Sequence, residues 1–334
     1  MKHTRNRTFI QRTLAAALAV PVAALALSGC APTGKASASS DAGAGSGASS
    51  GKIQVVSSLN TWGNLAEIVG GDYVSVKSII DDPLQDPHSY QATVRDQLAV
   101  SKARFVLANG AGYDNFIDSL GMAAKKGVFH IASNLTNPSY GTNPHIWYSI
   151  GADREAALLI AHQLGEIEPQ HAAYFTQNAA QFNTRMALLQ VHQTGLTQGN
   201  DIHVLSVESI ADLMLNESGI KIATPKDFAL AVQNNTDISP KALAEAKALI
   251  TTGKVQLLVL NAQESSPAGK ALAAAASATS AGSASATDGA KPVAVISMSE
   301  LLPAGKNFVD WMTDNVATIE NALVKTGVLK APTA

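Results

Sequence analysis

Short apolar runs alternate with longer amphipathic stretches through most of this 334-residue chain, and that alternation limits its fold more than any other feature. The runs at 53–57, 74–80, 105–108 and 128–131 read as strands, with helical patterns at 61–70, 91–102 and 113–126 between them. The second half repeats the theme: strand candidates at 201–207, 255–260 and 293–296 are separated by helical stretches near 208–218, 239–252 and 304–325. Strands joined through helices pair in parallel, with the helices covering the sheet faces. The expected fold is α/β, with two lobes, each a mainly parallel sheet covered by helices.

Between the halves lies the most helix-like segment of the chain. It begins at Pro169, a favourable first-turn residue, and runs past Tyr174, Phe175, Phe182, Met186 and Leu189 to about Gly195 with no internal proline or glycine. A continuous helix there spans roughly 40 Å at 1.5 Å per residue. It reads as one long linking helix that restricts hinge motion, the alternative being a surface helix of one lobe. The layout is then an N-terminal lobe at 52–168, the linking helix at 169–198 and a C-terminal lobe at 199–334.

The N-terminus sets the expected compartment. Lys2, Arg5, Arg7 and Arg12 make a basic start, residues 14–27 form an apolar run too short and Ala-rich to span a bilayer comfortably, and Leu27-Ser28-Gly29-Cys30 closes it. Residues 1–29 look like a lipoprotein signal peptide, with Cys30 lipidated as the first mature residue and the chain held at the cell membrane on its extracytoplasmic side. The alternative is a free thiol in an ordinary cleaved leader. Cys30 is the only cysteine, so an intramolecular disulfide is excluded, as are thiolate metal sites in the folded part. Residues 30–51, nearly all Ala, Ser, Gly and Thr, read as a flexible tether. A second low-complexity stretch, at about 273–290, reads as a disordered surface insertion whose first turns extend a helix from Lys270. A formal charge of −2 with 15% charged residues provides no basic face, which argues against nucleic acid as a partner.

Four metal-competent side chains sit in short loop-like segments beside apolar runs. His88 lies in Asp82-Pro83-Leu84-Gln85-Asp86-Pro87-His88-Ser89-Tyr90, directly after the strand candidate at 74–80. Ligands of open sheets gather at the carboxyl ends of strands, although a lone loop histidine is more often solvated. His145 sits in Asn143-Pro144-His145-Ile146-Trp147-Tyr148, where the aromatics would shield a metal from water or make it a simple boundary histidine. Glu208 follows Val204-Leu205-Ser206-Val207 at a helix start, where a carboxylate also favours the helix dipole. Glu300 stands between Val295-Ile296-Ser297-Met298-Ser299 and Leu301-Leu302-Pro303, an acid between two apolar segments. His203 is the main rival to Glu208, and a site including it would be richer in nitrogen.

Asp86-Pro87-His88-Ser89-Tyr90, Pro144-His145-Ile146-Trp147, Ser206-Val207-Glu208 and Ser299-Glu300-Leu301-Leu302-Pro303 occur in the order seen in the manganese/zinc-binding substrate-binding lipoproteins of ABC importers. Thr61-Trp62-Gly63-Asn64, Ala108-Asn109-Gly110 and Asn261-Ala262-Gln263 add to the likeness, which covers residues 53–325. The chain resembles that family. The resemblance implies two α/β lobes joined by a long helix, with the ion at the interface. It also implies metal ligation by His88, His145, Glu208 and Glu300, the last where the family usually has aspartate. Asn143 departs from an aspartate common before Pro-His, so a contact there would be neutral rather than charged. No His-rich acidic loop of the kind some zinc importers carry is present.

Two imidazoles and two carboxylates suit Zn²⁺, Mn²⁺ or Fe²⁺, and the sequence does not separate zinc from manganese. The implied role is capture of Zn²⁺ or Mn²⁺ by a lipid-anchored monomer and its delivery to an ABC transporter permease in the membrane. No covalent step is implied, so the chain is read as a non-enzyme. Acid should release the ion as imidazoles protonate below about pH 6. The competing classes are a metal-dependent hydrolase, for which neither His-Glu-x-x-His nor Gly-x-Ser-x-Gly is present, and a surface adhesin.

Overall fold

The computed structural model describes residues 51–82, 85, 87, 89–137, 140, 143–280 and 292–331. The leader, Cys30, the tether and His88 therefore lie outside the described residues.

The first half opens with β1 (Ile53–Leu59), buried at six of its seven positions as a strand covered on both faces must be. Helix α1 (Asn60–Gly70) carries the chain over to β2 (Val74–Ile80), which pairs with β1 in parallel from Ile53↔Val74 to Leu59↔Ile80. Helix α2 (Val94–Lys102) begins later than the apolar pattern suggests because Thr93 and Asp96 form a capping box, each side chain bonding the other's backbone N–H. Strand β3 (Phe105–Ala108), helix α3 (Phe116–Ala124), strand β4 (Phe129–His130) and the short α4 (Ile131–Asn134) complete a sheet of order β2-β1-β3-β4.

Helix α5 (Ile150–Ile167) and a 3₁₀ turn at Pro169–His171 lead into α6 (Ala172–Gly195), the long helix between the halves. At 1.5 Å per residue, α6 is roughly 36 Å long. The second half then repeats the first: β5 (His203–Ser206), α7 (Asp212–Glu217), β6 (Lys221–Ile222), α8 (Lys226–Gln233), α9 (Pro240–Thr251), β7 (Leu257–Asn261), α10 (Pro267–Ser280), β8 (Ala294–Met298) and α11 (Phe308–Lys325). Its sheet has the order β6-β5-β7-β8, parallel throughout, so both sheets share one topology. The two-sheet α/β expectation holds, and so does the single long helix between the sheets.

Three details differ from the sequence expectation. Helix α5 and the short β6 and α8 have no counterpart in it. Residues 113–115 precede α3 rather than belonging to it. The helix expected to extend from Lys270 into the low-complexity stretch starts earlier, at Pro267, and continues to Ser280, because Leu272, Ala275 and Ala276 bury one face of α10 in the second half's core. Alanine carries no rotamer entropy into a helix, which compensates for the small area it buries. Residues 281–291 lie outside the described set.

The described residues from 51 onward form one compact unit, and an aromatic cluster shows how the halves are held within it. Trp62 of α1 stacks on Phe308 of α11 at 6.2 Å and meets Trp147 edge-on at 6.4 Å. Phe308 in turn contacts Phe182 of α6 at 5.9 Å and Trp311 at 6.1 Å. All five rings are buried. The last helix thus returns to pack on the first, and α6 is not the sole mechanical link. Hydrogen bonds reinforce the junction: Asn60 donates to Leu302 O at 2.8 Å and accepts from Leu302 N at 3.2 Å, while Asn64 accepts from Phe308 N at 2.8 Å.

Candidate metal centre

In sheets of this order, the crevice where neighbouring connections diverge lies at the carboxyl ends of the strands. Loops from both sheets meet there. Glu208 follows β5, Asn261 ends β7 and Glu300 follows β8, while Tyr113 and His145 come from loops of the first half.

His145 is 3% exposed and Glu300 4%, and Glu208 is half-buried. One ligand-capable atom from each of these three residues lies within 4.8 Å of the other two. His145 Nε2 is 3.4 Å from Glu300 Oε1. For donors about 2.1 Å from a shared ion, ligand-to-ligand separations are about 3.0–3.5 Å, so a shift of roughly 1 Å would bring the three to bonding positions.

Each donor is oriented by a neighbour. Asn143 Oδ1 accepts from the backbone N–H of His145 at 3.0 Å and lies 2.9 Å from its Nδ1, while the Asn143 amide nitrogen donates to Ser209 O at 2.7 Å. With the amide so fixed, Nδ1 carries the proton and Nε2 presents its lone pair toward Glu300. Asn143, the residue that departs from the family's aspartate, therefore fills the orienting role with a neutral acceptor and also ties the His145 loop to the segment after Glu208. Asn261 Nδ2 donates to Glu208 Oε2 at 2.8 Å and to Glu300 Oε2 at 3.1 Å. One neutral amide thus holds two carboxylates side by side, an arrangement whose remaining repulsion a divalent cation would relieve. Gln263 accepts from Glu300 N at 2.8 Å and fixes the backbone there.

Tyr113 reaches the centre from the opposite half, donating to Glu300 Oε1 at 2.7 Å. Its loop turns sharply because Gly110, Ala111 and Gly112 all have left-handed backbones, with φ of 82°, 54° and 80°. At Ala111 that conformation is strained by about 1 kcal/mol. Burial, followed by the charge of Glu300, pushes the Tyr113 phenol well above its ordinary range, so it acts as a neutral donor. Behind it, Asp114 accepts from Asn109 N, Gly110 N and Ser58 Oγ, and Asn109 links Trp62 Nε1 to Pro144 O at 2.9 and 2.8 Å. Trp62 and Asn109, which carry part of the family likeness, therefore belong to a buried network that supports the His145 loop.

The same geometry answers the remaining expectations. Glu208 makes no capping hydrogen bond to the turn that follows it, so its side chain is not a simple helix cap. His203, the first residue of β5 and so at the strand's amino end, pairs with Asp201 at 3.3 Å and is not part of the cluster. His130 pairs with Asp118 and His192 with Glu320. Sequence reasoning did not find Tyr113 as a site residue. The only local hint was the glycine-rich turn after an apolar strand.

Comparison with known proteins agrees with this architecture. The family model described as "ZnuA: Zinc-uptake complex component A periplasmic" matches residues 55–322. The chain belongs to the ZnuA family. That family consists of metal-binding transport proteins rather than enzymes. The manganese-binding lipoprotein MntA of Bacillus subtilis is 27% identical over 147 residues, 41% of this chain and 48% of that protein. The chain spans about half the length of the curated relatives it matches. Among solved structures, the substrate-binding protein FpvC of Pseudomonas aeruginosa in complex with Mn²⁺ aligns with a TM-score of 0.67 at 18% identity, covering 83% of this chain and all of that one. The periplasmic zinc-binding protein TroA of Treponema pallidum aligns at 0.66 and 18%, covering 82% of this chain and 99% of that one. At these identities the two structures establish a shared fold.

Proposed function

We infer that this ZnuA-family chain is the extracytoplasmic substrate-binding lipoprotein of an ABC-type transition-metal importer. It captures Zn²⁺ or Mn²⁺ between two lobes and hands it to a membrane permease. The observation that carries this reading is the convergence of His145, Glu208 and Glu300, from three distant stretches of chain, to within 4.8 Å.

In this reading the three side chains and His88 bind the ion. In the sequence His88 comes after β2, and the carboxyl ends of strands are where ligands of such sheets gather. Two imidazoles and two carboxylates replace the ion's water shell, and the carboxylates offset its charge. The donors are nitrogen and oxygen without sulfur, which suits both zinc and manganese, while intrinsic affinity at such a site rises from Mn²⁺ toward Zn²⁺. Relatives named for each metal support the joint class. Cys30 serves as the lipid anchor and residues 30–51 as the tether. Among the described residues no helix is long and apolar enough to cross a membrane. Packing of α1, α6 and α11 around Phe308 favours small adjustments at the cleft over wide opening, so release follows when the docked permease disturbs the junction.

The test is elemental analysis of protein purified without added metal, together with a screen for hydrolytic turnover. One zinc or manganese per chain and no turnover is the expected result. Turnover dependent on the bound metal, or no metal after exposure to either ion, would refute it.

A further inference from the structure

Asn261 closes β7, is 8% exposed and pairs in register with Met298 of β8, whose carbonyl accepts from Ala262 N at 2.8 Å. Its side chain is as firmly held as its backbone. Asn261 Oδ1 accepts from Gln263 N at 2.9 Å, which leaves the amide one orientation, with its two N–H groups toward the carboxylates. Those groups have two acceptors, Glu208 Oε2 at 2.8 Å and Glu300 Oε2 at 3.1 Å. One oxygen of each glutamate is therefore engaged by the same rigid donor.

The other oxygen of Glu300, Oε1, is the one that faces His145 Nε2, at 3.4 Å. Oε1 also accepts from the Tyr113 hydroxyl at 2.7 Å, but the two contacts differ in kind. A phenol hydrogen turns about its C–O bond and can leave the oxygen to an ion, whereas the Asn261 hydrogens are fixed by the planar amide and its bond to Gln263 N. An ion drawn to both oxygens of either glutamate has to share Oε2 with an amide hydrogen already bonded there. The two positive charges repel.

We propose that Asn261 sets metal preference by holding Glu208 and Glu300 to one donor oxygen each. The proposal rests on the metal-capture reading above and narrows it. Two single-oxygen carboxylates supply two donors where two bidentate ones supply four. The lower count fits zinc, whose protein sites are mostly four-coordinate and tetrahedral, and leaves manganese short of the octahedral shell it prefers. Asn261 touches no ion in this scheme and is a positioning residue acting through the carboxylates. Gln263 works on the same segment differently: it accepts from Glu300 N and donates to Ser299 Oγ, each at 2.8 Å, and so fixes the backbone rather than the number of donor oxygens.

The test uses the full chain, stripped with chelator and reloaded with Co²⁺, whose visible absorption is strong in four-coordinate sites and weak in six-coordinate ones. Wild type should give the strong bands. Asn261→Ala should lose intensity as the carboxylates become bidentate. Its Zn²⁺-to-Mn²⁺ affinity ratio, from competition titration, should fall by about tenfold or more, chiefly through tighter Mn²⁺ binding. Gln263→Ala should weaken both ions alike, keeping the wild-type ratio and spectrum. A six-coordinate spectrum from wild type, which needs no variant to fold, overturns the proposal. Asn261→Ala with the wild-type ratio and spectrum does the same, and both results leave metal capture standing. If the wild-type chain binds none of the three ions, the capture reading falls and the proposal with it.

Discussion

Tyr113 donates its hydroxyl to Glu300 Oε1 at 2.7 Å although 187 residues separate the two. The phenol lies in the first half of the chain and the carboxylate in the second, so the contact fixes a candidate ligand across the junction. It also competes with any ion for the same oxygen.

Tyr113→Phe should therefore act in two directions. Losing a hydrogen bond to a charged group lowers the stability of the metal-free protein by about 2 kcal/mol. The ion then displaces one fewer donor, and Zn²⁺ affinity should rise about tenfold. Thermal melting of metal-free protein, paired with a chelator-competition titration, checks both. Weaker zinc binding in the variant would show that the phenol chiefly positions Glu300.

Asn143 orients the imidazole of His145 through its Oδ1. Asn143→Ala should weaken metal binding by about 10–100-fold, the usual cost of removing such a partner. Asn143→Asp supplies a charged acceptor and should tighten it. Isothermal titration of both variants with Zn²⁺ decides the point, and equal affinities for the two would show that Asn143 does not orient the ligand.

The pH dependence of stability offers a separate check at Asp212, which lies in the cleft beside Glu208 and accepts from Ser206 Oγ at 2.6 Å. Burial raises its carboxyl from 3.8 to about 6. Between these values the folded chain holds a proton that the unfolded chain gives up, so stability falls as pH rises through that window. Above about pH 6 the ionised group costs roughly 3 kcal/mol, since each tenfold change in proton affinity is worth about 1.36 kcal/mol. Asp212→Asn should raise the melting temperature of metal-free protein at pH 8, with the gain shrinking toward pH 4. A gain independent of pH would contradict this.

Apart from the two-residue β6, the strands were legible because each is a short apolar run followed by a turn or a helix, and β1, β3 and β7 are buried on both faces. Helix α5 was not. Ile150, Ala152, Asp153, Ala156, Ala157, Ile160, Ala161 and Leu164 are all buried, which spreads its apolar positions around the helix and blurs the one-sided stripe that periodicity detects. Within the centre, His145, Glu208 and Glu300 stood out as polar side chains beside apolar runs. Tyr113 and Asn261 acquire their roles only from partners distant in sequence, and nothing in their immediate neighbours announces those partners.

One ion held jointly by side chains from both halves is the central claim, and competitive titration of metal-free protein with Zn²⁺ and Mn²⁺ tests it most directly. Wild type should bind one ion per chain. His145→Ala, Glu300→Ala and His88→Ala should each lose at least a hundredfold in affinity, equivalent to about 2.7 kcal/mol. Affinities left near the wild-type value in His145→Ala and Glu300→Ala would contradict the assignment.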